Sequence, residues 1–433
     1  MKRVLIISYY WPPSGGVGVL RCLKFVKYLH NFGWEPVVYS PFNANYLLRD
    51  NTNFKDIPED LELLKGPIVE PFSAYKFLSG RKKDDPTDPV HVRNKKHFID
   101  NFAIWVRGNF FIPDARCLWI RPSVRYLKKY LKEHPVDAIF TDGPPHTNTL
   151  IGMKLSSELG IPWLADFQDP WTQADYYQRY KIMYWANKRH HRLEQKAFQT
   201  AGKITIASPS WAKNLEQIGA RNVGVIYYGY DEDDFKKRVP VPDPDFTIVH
   251  TGQLGFDRNP DVLFHVLKEL KNELAGFAAH LKLVFAGNID FSVKKEIVEN
   301  GLGENFCDQG FVTRDRALQL NMNARLLLLP LNKSGNADGR IPGKLFENLR
   351  TGRPILCLGP SDSDVARIIE TCRAGISFSY NDRDRIKKFL TTQYEQFLAG
   401  EHYSQPCNIA HFSNEEQTRV LSQYLNQLVD SHA

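Results

Sequence analysis

The chain has 433 residues, 42% of them apolar and 24% charged, with a formal charge of +7. That length exceeds what a single hydrophobic core usually serves, so two domains are expected, and the composition is that of a packed globular protein. No stretch approaches the roughly 20 apolar residues that a membrane helix needs, and the mild positive charge comes without a nucleic-acid-binding motif, so no nucleic-acid partner is expected.

In chain order, Val4–Ser8 is the first apolar run; Trp11-Pro-Pro13 closes it and no small-residue cleavage site follows, so it reads as a β-strand and not as a secretory signal. Pro12-Pro-Ser-Gly-Gly-Val-Gly18 then leads into a helical run containing Leu20, Leu23 and Val26. A glycine turn between strand and helix offers amide groups and a positive helix end to an anion. It falls short of a dinucleotide fingerprint, because Arg21 stands where a third glycine belongs and the second strand, Glu35–Tyr39, runs into Ser40 without an acid for a ribose. NAD is therefore not expected.

Residues 41–135 read as a long insertion, rich in Pro, Asp, Lys and aromatics, that the sheet does not need. Inside it, the basic clusters Arg81–Lys83 and Arg93–Lys96 precede Phe98, Phe102, Trp105, Phe110 and Phe111, with Arg107 among them. A basic patch beside an aromatic amphipathic segment is one way to sit on an anionic membrane; a solvated loop followed by a core-facing helix is the other reading. Ala138–Thr141, Trp163–Ala165, Lys203–Ala207 and Val223–Tyr227 continue a β–α alternation. The proline-rich stretch Val239–Pro244 places a linker near 236–245, after which the rhythm resumes with Thr247–His250, Leu281–Ala286, Leu326–Leu329 and Ile355–Leu358. Val420, Leu421, Tyr424, Leu425 and Leu428 recur at helical spacing and predict a terminal amphipathic helix. The expected division is 1–236, 246–412 and a helix within 413–433.

Six scattered cysteines without a C-x-x-C pair suggest neither zinc nor a disulfide framework, which fits a cytoplasmic protein. Asp243-Pro-Asp245, Asp362-Ser-Asp364 and Asp382-Arg-Asp384 lie in turn-like sequence, where Asp is favoured for its own sake, so no metal site is expected. The most informative stretch is Gly335-Asn-Ala-Asp-Gly-Arg-Ile-Pro-Gly-Lys-Leu-Phe-Glu347. A glycine loop entering a helix with Arg340 and Lys344 beside it suits a diphosphate, and Glu347, one turn inside, suits ribose hydroxyls or an ordinary helix surface. It is not a Walker loop, since Leu345 stands where Ser or Thr should hold magnesium.

Taken together, Tyr10–Gly16, Pro144-Pro-His146, Gly160–Trp171, Ile226–Asp231, His250-Thr-Gly252 and Arg340–Glu347 resemble glycosyltransferase family 4 over nearly the whole chain. The resemblance implies an α/β protein of the GT-B fold: two Rossmann-like domains facing each other across a cleft, an N-terminal acceptor domain and a C-terminal nucleotide-sugar domain, with a C-terminal helix. It implies a metal-independent, retaining sugar transfer from a nucleoside-diphosphate sugar, UDP- or GDP-linked, to a glycan or lipid-linked glycan in polysaccharide biosynthesis. No tightly bound cofactor is implied, and the setting is cytoplasmic or peripheral on the inner face of the plasma membrane. By the same resemblance Lys344 and Arg258 meet the diphosphate, Glu347 the ribose, and Gly15, Gly16, Gly252, Asp338, Arg340, Ile341, Gly343 and Leu345 line the donor site.

This chain departs from the family pattern in three places. Gly339 stands where a first acid belongs, with Asp338 adjacent; Gln253 replaces the usual cation after Gly252; and Gln168 replaces a common histidine, leaving His146 and Asp169 as candidates for contact with sugar or acceptor. A sugar-nucleotide epimerase and a non-catalytic sugar-nucleotide-binding protein are the alternatives.

Overall fold

The computed structural model describes residues 1–46, 48–70, 98–175, 177–236, 238–333, 335–401 and 406–432. The chain divides into two compact units, Met1–Tyr228 with Asn414–Ala433, and Gly229–Ser413.

The first unit holds β1 (Lys2–Ser8), α1 (Val17–Tyr28), β2 (Trp34–Pro41), β3 (Glu62–Gly66), α2 (Phe98–Phe110), α3 (Ile120–Glu133), β4 (Ala138–Asp142), α4 (His146–Leu159), β5 (Trp163–Asp166), α5 (Tyr184–Thr200), β6 (Lys203–Ile206), α6 (Pro209–Gln217) and β7 (Val223–Val225). Its seven strands are all parallel, in the order β3-β2-β1-β4-β5-β6-β7. A parallel sheet is covered on both faces, which is why β1 reads as an unbroken apolar run. Alternate residues face opposite ways: Leu5 and Ile7 join one core with Trp119, Leu127 and Ile151, while Val4 and Ile6 join another with Leu23, Phe25 and Trp34.

The second unit holds β8 (Phe246–Thr251), α7 (Asp261–Glu273), α8 (Phe277–His280), β9 (Leu281–Ala286), α9 (Phe291–Glu299), β10 (Phe306–Asp308), α10 (Arg314–Asn323), β11 (Leu326–Pro330), α11 (Lys344–Thr351), β12 (Ile355–Leu358), α12 (Asp364–Thr371), β13 (Gly375–Phe378) and α13 (Arg383–Leu398). Its parallel strands run β10-β9-β8-β11-β12-β13, the 3-2-1-4-5-6 order of a dinucleotide-type fold. Ile248, Leu283, Leu326, Leu328 and Leu356 pack there against Leu263, Phe264 and Leu267 of α7.

Three sequence expectations change. The linker expected at 236–245 belongs to the second unit, where Asp243 N–H and Val241 N–H donate to Asn323 O and Asn323 Oδ1, both at 3.0 Å, and Gln319 donates to Val239 O. The chain passes between units at 228–229 and again at 413–414. The terminal helix, α14 (Asn414–Asp430), is not a separate body: Leu421, Leu425 and Leu428 complete the core formed by Val4, Ile6 and Phe140 in the first unit. Finally, 41–135 is not dispensable to the sheet, because it supplies the edge strand β3 and the helix α3 that leads into β4.

Candidate functional site

In an open α/β sheet, ligands collect beyond the carboxyl ends of the strands where the strand order reverses. In the second unit that place lies after β8 and β11. The turn after β8 opens with Gly252 at φ 112, a conformation that disfavours any side chain, and a Cβ there would sit 2.9 Å from Lys344 Nζ. Gly287 presses against this turn from the end of β9, where an added Cβ would come within 2.2 Å of Gly252 O. These glycines let the Lys344 ammonium reach in and donate to Thr251 O at 2.8 Å. Burial, then the nearby Arg258 charge, pull the Lys344 amine down to about 7, with Glu347 acting the other way. Arg258 ends the short turn Phe256–Arg258, 3.5 Å from Asp257 Oδ1, while Asp257 is itself tied to Asn332.

Glu347 lies in the first turn of α11, where its Oε1 meets Arg314 at 2.6 Å; Arg314 also binds Asp234 at 2.9 Å. No sequence signal marks Arg314, since it sits on a different helix and the pair forms only in three dimensions. A buried net of Thr251, Asn321 and Asn348 joins β8, α10 and α11 behind these groups. His250 lends its Nδ1 to Leu328 O at 3.0 Å, and burial holds it well below the usual histidine range, so it is neutral.

Arg340 and Gly343 are partly buried on the approach to α11. Ile341 and Leu345 are buried, 4% and 0% exposed, so any contact they make with a ligand is through backbone. Asp338 is exposed on the turn Ala337–Gly339 while Gly339 is buried, so the carboxylate beside the missing acid faces solvent. The Gly252 amide is engaged by Ala286 O at 2.7 Å, which removes it as a donor to a ligand.

In the first unit the corresponding reversal lies between β1 and β4, whose last residues Ser8 and Asp142 are register partners. Ser8 Oγ donates to Asp142 at 2.6 Å, Gln168 also donates to Asp142, and burial raises that carboxyl to about 7. Arg21 grips Asp166 with Nε at 2.8 Å and Nη2 at 3.1 Å, and its Nη1 donates to Tyr227 O at 2.7 Å; both side chains are fully buried. The residue that spoils the glycine fingerprint is thus one half of an internal ion pair. Gly15 donates its amide to Leu48 O at 2.9 Å, so it does not serve the anion cradle expected of it, whereas Gly16, exposed at φ 87, stands at the start of α1. His146 is 5% exposed and stacks on Trp171 at 4.6 Å, and burial lowers it to about 3; it is neutral at physiological pH and packed away from solvent. Asp169 is half-buried just beyond β5, close enough to Tyr228 for its charge to be felt there.

Each Asp-x-Asp pattern has a local use: Asp243 accepts from Asp245 N–H at 3.1 Å, Asp364 pairs with Arg367 and Asp382 with Arg385. Among the described residues no group of three or more His, Cys, Asp or Glu side chains is placed to hold a metal ion.

The family model described as Glycosyltransferase Family 4 matches residues 14–234. No curated protein matches the sequence significantly. Among solved structures the chain is similar to the apo form of the lipopolysaccharide outer core galactosyltransferase WaaB, at 14% identity and TM-score 0.57 over 100% of both chains. A variant of TarM from S. aureus in complex with Fondaparinux, alpha-GlcNAc-glycerol and UDP matches at 9% identity and TM-score 0.57, covering 100% of this chain and 99% of that one. The UDP-GlcNAc 2-epimerase from Methanocaldococcus jannaschii matches at 14% identity and TM-score 0.53, covering 99% and 100%. At these identities the likeness speaks for the fold, and the family match, which spans half the chain, speaks for descent. The chain belongs to glycosyltransferase family 4 and carries the two Rossmann-like domains of the GT-B fold.

Proposed function

We propose that the protein moves a sugar from a UDP- or GDP-linked donor to a hydroxyl of a glycan or lipid-linked glycan, with retention at the anomeric carbon. The observation that carries this reading is the convergence of Lys344 and Arg258, with Glu347 close by, at the point of strand-order reversal in the second unit. The bond from the anomeric carbon to the diphosphate oxygen breaks, a bond to the acceptor oxygen forms on the same face, and the acceptor proton passes to the departing diphosphate. Negative charge grows on that diphosphate as the sugar becomes oxocarbenium-like, and fixed cations beside it lower the barrier. Glu347, with one oxygen held by Arg314, offers the other to ribose hydroxyls. Of the two candidates for contact with sugar or acceptor, Asp169 is half-buried and reaches solvent, while His146 is stacked on Trp171; Gly16 stays with the leaving-group side. No tightly bound cofactor or metal enters this reading.

The Lys344 amine gives the reading a pH signature. Its value of about 7 lies below that of a lysine beside a diphosphate, so binding a diphosphate draws a proton onto it. Affinity for a nucleoside diphosphate is therefore full below pH 7 and declines as pH rises from 7 towards 9, by at most about tenfold per unit. Calorimetry in buffers of different ionisation enthalpy at pH 8 is expected to register net proton uptake, and no uptake would mean that Lys344 does not meet the phosphates.

The reaction itself is tested by incubating purified protein with UDP- and GDP-sugars and candidate acceptors and reading the anomeric configuration of the product by NMR. Retained configuration in an acceptor-dependent product supports the reading. Conversion of the donor sugar without acceptor indicates epimerase chemistry, and tight nucleotide binding with no turnover on any acceptor indicates a binding protein.

A further inference from the structure

Among the described residues no helix is long and apolar enough to cross a membrane, yet one face of the first unit exposes a run of large apolar side chains. Phe102, Trp105 and Phe110 line α2, and Met183, Tyr184 and Trp185 open α5. Phe102 is 55% exposed, Phe110 60%, Met183 43%, Tyr184 82% and Trp185 42%. The rings form one chain: Phe102 to Trp105 at 5.9 Å, Trp105 to Phe110 at 5.7 Å, and Phe110 to Trp185 at 5.5 Å. Beneath it, α2 is locked to the segment that leads into α5. Met183 N–H donates to Asn109 Oδ1 at 2.7 Å, and Gly108 lies so close to Tyr180 that an added Cβ would fall 2.7 Å from the tyrosine Cβ. The patch is therefore a fixed surface of the fold.

Its charge is as ordered as its apolarity. Along α5, Tyr184, Lys188 and Arg192 follow at four-residue steps, and Trp185 is followed by Arg189 in the same way, so cations continue the exposed face that the rings begin. The one acid of this helix, Glu194, is buried and held by Thr172, so it does not offset them at the surface. Aromatic rings that settle at headgroup depth, bordered by Lys and Arg, are complementary to a bilayer with anionic lipids. An acidic protein would match the charge but gives no reason for a row of rings standing free in water.

We propose that the α2–α5 face docks the protein on the surface of an anionic lipid bilayer, the rings entering the interface and Lys188, Arg189 and Arg192 meeting the headgroups. The basic clusters Arg81–Lys83 and Arg93–Lys96, which on sequence fit either membrane contact or a solvated loop, lie outside the described residues, and the proposed surface does not include them. Nor does it depend on which donor or acceptor the enzyme uses.

Co-sedimentation of the full chain with vesicles of phosphatidylcholine alone, and of phosphatidylcholine with phosphatidylglycerol, tests the proposal. Binding is expected only to the anionic vesicles, with a blue shift of tryptophan emission. Lys188→Glu with Arg192→Glu is expected to lower the partition coefficient at least about tenfold, and Phe110→Ser with Trp185→Ser to abolish the blue shift. Circular dichroism and gel filtration establish that each variant is folded. Failure of the wild-type chain to bind anionic vesicles, or undiminished binding by both folded variants, overturns the proposal. So does a wild-type dimer that these substitutions dissociate in the absence of any vesicle binding, which would make the patch a contact between copies of the chain.

Discussion

Lys344→Ala is expected to lower kcat by about 10²–10³-fold while leaving the fold intact, because it removes a fixed cation from the place where the account puts the departing diphosphate. The ammonium is partly buried and donates to Thr251 O at 2.8 Å, so the wild-type side chain is already oriented before a donor arrives. The loss is expected mainly in kcat, since the charge on the diphosphate grows in the transition state. Lys344→Arg is not expected to restore activity: the Gly252 backbone lies against the Lys344 tip so closely that even a methyl group there would meet Nζ at 2.9 Å, and a guanidinium is larger than an ammonium. Steady-state kinetics on both variants, with circular dichroism as the control, check this. Unchanged kcat in Lys344→Ala would remove this residue from the chemistry.

The second large effect concerns stability. Arg21→Ala is expected to destabilise the first unit by about 3–5 kcal/mol, because it strands Asp166 as a buried carboxylate without its counter-charge. Asp166 would keep its bond from Thr205 Oγ1 at 2.8 Å but lose both contacts from Arg21, and the buried Asp142 carboxyl close by adds further repulsion. Replacing both members, Arg21→Met with Asp166→Leu, is expected to recover part of the loss, since an apolar pair carries no unpaired charge. Urea unfolding of the three proteins decides it. A loss below about 1 kcal/mol in Arg21→Ala would show that Asp166 is not charged in the fold or is satisfied elsewhere.

These two residues mark what the sequence made legible and what it hid. Most strands were readable because parallel strands buried on both faces are written as runs such as Val4–Ser8 and Leu281–Ala286. The edge strands β3, β10 and β13 were not. They are three to five residues long, and Glu62 and Lys65 in β3, Asp308 in β10 and Gly375 in β13 break any apolar signal. Lys344 and Glu347 were legible because four positions on one helix share a local motif. Arg314 was not, as its partner Glu347 lies on another helix, and neither was Arg21, whose partner is 145 positions away and which local reading treats only as a glycine that is missing. The terminal helix was visible from its spacing, but nothing in that spacing says which unit it joins; that follows from Leu421 and Leu425 meeting Val4 and Ile6 in the first unit's core. The glycine turn after β1 was read as an anion cradle, yet Gly15 gives its amide to Leu48, a partner inside the segment that looked dispensable.

The proposed donor site holds a nucleoside diphosphate between Lys344 and Glu347 of the second unit. Its most direct test is a thermal-shift series with UDP, GDP, ADP, CMP, dTDP and NAD, with and without magnesium, on the wild-type chain and on Glu347→Ala. A magnesium-independent rise in Tm with one nucleoside diphosphate, lost in the variant, is expected; no rise with any diphosphate, or a rise with NAD alone, would rule the proposed site out.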